Sequence, residues 1–520
     1  MSTEKSKAGL VTIGLLIGLF LSSLDQTIVS TAMPTVIKDL GGFSLYSWVF
    51  TIYMLASTTT VPIYGKLADL FGRRKMYLIG LILFVVGSVL CGFSENITQL
   101  IIFRGIQGLG AGALMPISMT IVADIYPPDQ RGKFMGLFGA VYALSSIFGP
   151  ALGGMIVEHW DWGWIFFINL PIGIVALLVV AAGLKETRSN EKQSIDWLGV
   201  LTLSAGVVAV LLALVLGGEG QGDGTRYAWT SPQILGLFAA GAVLLALFTW
   251  IESKVKEPII TLSLFRIRAI AFGNIVGFLM SAAMFGAIVY IPLFVQGVIG
   301  VNSSVSGYIL TPLMLSFIVT SIIGGRLMSK LSYRTILIAS LALMMVGFTL
   351  LSQISEDTTQ SEMILYMIIA GLGMGAVYPT VGTAAQNAVD SKLRGVATSS
   401  SQFFRSMGGT IGVSVFGSLM AQQMSSEISK LNQKLNGALP ADQLKQLVNP
   451  QVLLDSNARH ALPEQVLAGL RAAFSHSLSS VFLGALIFVG VGLVASALMG
   501  NARLVESKEY IEAAKIKNEL

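Results

Sequence analysis

Runs of about twenty apolar residues, separated by short polar connections, recur along the whole chain. As a helix rising 1.5 Å per residue, such a run spans the roughly 30 Å hydrocarbon layer of a bilayer. The runs lie near 10–33, 46–67, 76–94, 98–123, 133–157, 164–184, 196–217, 231–252, 269–295, 305–328, 334–353, 362–388, 395–421 and 477–500, which predicts fourteen spans. An even number places both termini on one side. Residues 422–476 are polar, with leucines at helical spacing in "ISKLNQKLNGALPADQLKQL", and predict short amphipathic helices in a long loop outside the membrane. The tail 501–520 predicts a further amphipathic helix.

Composition agrees with this pattern. Of 520 residues 54% are hydrophobic and 12% charged, whereas a soluble domain carries about 25% charged residues. A net charge of +5 would suit a nucleic-acid partner, but position decides otherwise. The lysines and arginines gather in alternate connections, on the side of the termini, which is the cytoplasmic side by the positive-inside rule. No basic face with stacking aromatics is visible, so nucleic acid is not expected. Lys5 and Lys7 before an apolar run resemble a signal peptide, yet the run is too long, contains Asp25 and offers no small-residue cleavage site before Lys38. It predicts a retained first span. One cysteine, Cys91, and three histidines exclude an intramolecular disulfide and give no metal-ligand spacing.

The chain also repeats itself. "GLGAGALMP" (108–116) matches "GLGMGAVYP" (371–379), and the same offset, without a gap, aligns Arg131-Gly132 with Arg394-Gly395, Gly149 with Gly412 and Gly154 with Gly417. Upstream, "GKLADLFGRR" (65–74) matches "GRLMSKLSYR" (325–334). Two parallel copies of six spans, with two extra spans between them, predict an all-α membrane protein: an N-terminal bundle over 1–190, linker helices over 191–260, and a C-terminal bundle over 261–500. Parallel six-span repeats are the plan of major facilitator carriers, whose substrate site lies between the halves. The copies differ in charge: Asp69, Arg104, Asp124 and Pro150 align with Ser329, Met367, Asn387 and Val413.

Two charges lie deep within spans of the first half. An Asp at the centre of a membrane helix costs about 2.5–3.5 kcal/mol on insertion scales, so Asp25 in "LSSLDQTIVST" needs a partner. Arg104, about six residues into its span, matches it in depth. An arginine neighbour favours the charged carboxylate and burial the neutral acid. A carboxylate whose surroundings change between two conformations can therefore take up and release a proton.

"LDQTIVSTAMPTV", "GKLADLFGRRK", "LIIFRGIQGLGAGA", "GPALGG", "WIFFINLPIG" and "DWLG", in this order along nearly the whole chain, resemble the fourteen-span drug:proton antiporter family of the major facilitator superfamily (EmrB/QacA type). The resemblance implies a cytoplasmic latch of Gly65, Asp69, Gly72, Arg73 and Asp124 in the outward-facing state. It implies an antiporter motif in Gly149, Pro150, Gly153 and Gly154; Asp25 and Arg104 are, by their depth and charge, the expected proton-coupling pair. Gln26, Tyr53, Met54, Phe285, Tyr290, Tyr378 and Arg405 are candidates for contact with a lipophilic substrate by stacking, cation–π and sulfur contacts. Two departures stand out. "WGWIF" has Gly163 where the family often has arginine, and where members that export divalent cations tend to place acids in later spans, the spans near 305–328 and 395–421 have none and the latter carries Arg405.

Without a "GxxxxGK[ST]" loop, ATP drive is not expected. The expected function is export of hydrophobic or amphiphilic compounds in exchange for protons, by a monomer in a bacterial plasma membrane, with membrane lipid as its surroundings and no cofactor besides the proton gradient. The alternatives are an exporter of one metabolite, lipid precursor or siderophore, which Arg405 and the long loop favour, and a non-transporting scaffold, which the intramembrane charges disfavour.

Overall fold

The computed structural model describes residues 2–40, 45–185, 196–218, 227–255, 258–300, 303–390, 393–434 and 462–503. These form sixteen α-helices: α1 (Ser2–Leu40), α2 (Tyr46–Phe71), α3 (Arg73–Gly92), α4 (Ile97–Ile125), α5 (Pro128–His159), α6 (Trp164–Phe167), α7 (Asn169–Gly183), α8 (Trp197–Leu216), α9 (Pro232–Glu252), α10 (Arg268–Phe294), α11 (Ser303–Leu327), α12 (Tyr333–Leu351), α13 (Gln360–Gly375), α14 (Val377–Asn387), α15 (Arg394–Lys434) and α16 (Glu464–Leu498). Local sequence sets several ends. Asn96 accepts a hydrogen bond from the Gln99 amide, and Thr359 with Glu362 forms a reciprocal capping box. A single residue, Gly72 at φ 99°, links α2 to α3, a backbone state that a side chain would strain.

Twelve helical stretches among the described residues are long and apolar enough to cross a membrane, where the sequence predicts fourteen. The two that fall short are α2 and α15, whose Ser, Thr and Gln residues lower their mean hydropathy. These two helices pack on each other, with Gly65 against Ser399, so their polar faces meet protein in place of lipid. The segment 422–476 is helical at both ends, because α15 continues to Lys434 and α16 begins at Glu464. Residues 435–461, and 504–520 of the tail, lie outside the described residues.

Repeated sequence gives repeated packing. Gly87 lies against Gln107 and Gly347 against Ala370; Gly112 lies against Thr60 and Gly375 against Thr320. At the boundary between halves, equivalent residues meet each other. The Tyr378 hydroxyl points at the Met115 sulfur at 3.1 Å, 263 positions apart, and a methyl on Gly382 would touch Met119. A pseudo-two-fold axis therefore passes through these contacts. α8 and α9 pack on this frame through Leu203, Val207, Leu211 and Phe248, against Leu55 and Val61 of α2 and Phe403 of α15.

Candidate functional site

Asp25 and Arg104 form an ion pair in the core of the N-terminal half, 0% and 1% exposed. Arg104 Nη1 donates to Asp25 Oδ2 at 2.5 Å and to Gln107 Oε1 at 2.8 Å. Asp25 Oδ1 accepts from Gln107 Nε2 at 2.8 Å and from Asn169 Nδ2 at 3.1 Å. Asn169, the first residue of α7, also donates to Ser88 of α3 at 2.9 Å. One carboxylate thus joins α1, α4 and α7, with α3 one bond further out. The burial is tolerable because the charges are matched and the carboxylate has three donors. Gln107, Asn169 and Ser88 are absent from the sequence-derived set, although Gln107 and Asn169 stand inside quoted motifs.

A central cavity of about 130 Å³ lies between the halves. Of the predicted contact residues, Gln26, Met54, Phe285, Tyr378 and Arg405 line it. Two others do not. Tyr53, 1% exposed, lies with its ring 4.1 Å from the Arg104 guanidinium carbon and covers the ion pair. Tyr290 turns into the C-terminal half and donates to the Val413 carbonyl at 3.2 Å. Both lie on the correct helix but on another face of it. Ser22, Met115, Tyr142, Phe317 and Gln402 complete much of the wall. Asp25 is not in the wall, although its neighbour Gln26 is.

At the end of the bundle that carries the termini, the halves are bolted together. Arg73 donates to Asp69 at 3.2 Å and pairs with Asp124, which also accepts from Arg394 of α15 at 3.3 Å. Asp69 Oδ2 accepts the Val396 amide at 3.1 Å, so the carboxylate sits on the first turn of α15, where the helix dipole favours negative charge. Gly65 leaves room for Ser399, and a methyl on Gly395 would overlap Asp69. A second bond, from Arg131 to Asn387, occupies the repeat-equivalent place of Arg394 to Asp124. It is neutral on one partner, and the 263-residue offset is the signal that could have found it.

In the predicted antiporter motif, Gly149 packs where a methyl would overlap Thr27, whose hydroxyl bonds the Ser145 carbonyl at 3.0 Å. Gly153 is buried, while a methyl at Gly154 would meet nothing within 4 Å. Close packing therefore explains Gly149 but not Gly154. Pro150 lies in α5, with its side chain outside the described ones. No group of three or more His, Cys, Asp or Glu that could hold a metal occurs among the described residues.

The family model described as Major Facilitator Superfamily matches residues 15–413. Among curated relatives, the chain is 43% identical to the Bacillus subtilis (strain 168) multidrug transporter protein MdtP, over 99% of this chain and 97% of the relative. It is 38% identical to multidrug resistance protein 3 of the same organism, over 99% of each. A solved structure of a double-tryptophan XylE mutant superposes with a TM-score of 0.62 at 13% identity, covering 97% of this chain and 99% of that one. This multi-pass membrane chain belongs to the major facilitator superfamily of transporters.

Proposed function

We propose that the protein exports lipophilic or amphiphilic small molecules from a bacterial cell by alternating access, in exchange for protons, as a monomer with fourteen spans, both termini in the cytoplasm, and no cofactor. The names of its relatives support drug efflux, and the fourteen-span antiporter type rests on the motif resemblance. The observation that carries the reading is the relation of cavity to ion pair. Gln26 faces the cavity and Asp25, the next residue of α1, holds the buried arginine.

In this reading the latched state has its cytoplasmic end closed, and substrate leaves from the cavity to the outside. Motion of α1 against α4 opens Asp25 to a proton, the neutral acid loosens its hold on Arg104, and the latch breaks as the proton passes inward. The membrane potential adds about 2.3 kcal/mol per charge per 100 mV to any net charge moved. Everted vesicles test the coupling. Energised vesicles bearing the protein are expected to accumulate a fluorescent lipophilic probe above control vesicles and to lose it when nigericin collapses the pH gradient. Accumulation unchanged by nigericin contradicts proton exchange.

A further inference from the structure

Arg405 is the one charged side chain among the residues that line the central cavity; the rest are hydroxyl, amide, sulfur, aromatic, aliphatic and glycine groups. It is 8% exposed. Its guanidinium carbon stacks 3.7 Å from the centre of the Tyr378 ring, and its Nη2 donates to Gln402 one turn back on α15 and approaches the Met115 sulfur at 4.0 Å. These partners are all neutral. Arg73, Arg104, Arg394 and Lys430 each pair with an acid, whereas among the described residues no acid pairs with Arg405.

A guanidinium offers five donors in a planar fork, and a charge held in a low-dielectric interior without a counter-charge is costly. Arg104 escapes that cost through Asp25; Arg405 does not. Nor does helix packing require a cation at this place. The repeat-equivalent position of the N-terminal half, at the same 263-residue offset, is Tyr142, which lines the same cavity. The first copy fills its side of the axis with a neutral phenol. Stacking on Tyr378 holds the fork of Arg405 in a fixed orientation.

We propose that the substrates of this cavity are amphiphilic oxyanions, with a carboxylate or sulfonate on the Arg405 fork and an apolar body against Met115, Tyr142, Phe285 and Phe317. The proposal rests on the export reading and names its substrate class. A lipophilic cation in the same cavity meets a like charge at low dielectric and no carboxylate in the wall.

Three probes of one ring size separate charge from shape: 2-naphthoate, 2-naphthamide and N-methylisoquinolinium. Equilibrium dialysis against the full chain in nanodiscs is expected to rank them in that order. Arg405→Met should weaken 2-naphthoate at least 10-fold and leave 2-naphthamide within about 3-fold, while Arg405→Lys keeps the preference for the anion. Equal or tighter binding of the cation by the wild type, unchanged 2-naphthoate affinity in Arg405→Met, or no binding of any of the three to folded protein overturns the proposal. A cation-selective outcome leaves export standing; a lack of accumulation above control vesicles in the vesicle assay removes export whatever the binding order.

Discussion

Arg104→Met is expected to lower the stability of the protein by about 3–5 kcal/mol, the usual cost of removing one partner of a buried ion pair. Asp25 would keep Gln107 and Asn169 as donors but lose its only counter-charge in a site that is 0% exposed. The same variant strips the ring of Tyr53 of the cation it covers. A detergent-melting series reads the effect as a large downward shift in Tm and a low yield. Asp25→Asn added to Arg104→Met removes the stranded charge, and an amide still matches Gln107 and Asn169, so the double variant should melt well above the single one. Equal melting of Arg104→Met and the wild type would show that the pair does not hold α1 to α4.

The second large effect lies at the latch. Gly65→Leu places a branched side chain where even a methyl would overlap Ser399 and crowd the Gly395 carbonyl. Overpacking of this kind costs about 1–3 kcal/mol, and the cost falls only on the conformation in which α2 and α15 touch. A conformational equilibrium biased by that amount moves about 5- to 150-fold. Spin labels at Lys133 on α5 and Lys330 beyond α11, both exposed and on opposite halves, read the separation in a Cys91→Ser background. The wild type should populate the short distance of the latched state, and Gly65→Leu a longer one together with loss of transport. An unchanged distance distribution would mean that the close approach at Gly65 does not decide the state.

The frame was readable because apolar runs of bilayer length need no knowledge of partners. The exceptions, α2 and α15, fall below the hydropathy of their neighbours because they face each other. Depth along a span can also be read from sequence, and it paired Asp25 with Arg104. The face of a span cannot: α10 is almost uniformly apolar and lacks the 3.6-residue alternation that marks an inside, and on α2 the polar Ser57, Thr58, Thr59 and Thr60 are consecutive and so surround the helix without marking one face. Tyr53 and Tyr290 accordingly lie away from the cavity wall, against Arg104 and the Val413 carbonyl. The amides of Gln107 and Asn169 carry no such mark, because an uncharged polar residue in a span costs less than an acid does. Arg131 and Asn387 were within reach, since they are the repeat images of Arg394 and Asp124.

The coupling role of Asp25 is tested most directly in proteoliposomes with an imposed pH gradient, comparing the wild type with Asp25→Asn. Asparagine keeps the shape and the donors' partner but cannot exchange a proton. The wild type should drive a lipophilic probe uphill, whereas Asp25→Asn, folded and still able to exchange probe for probe across the membrane, should only equilibrate it. Uphill transport by Asp25→Asn at the wild-type level would contradict the role of Asp25 as the proton site.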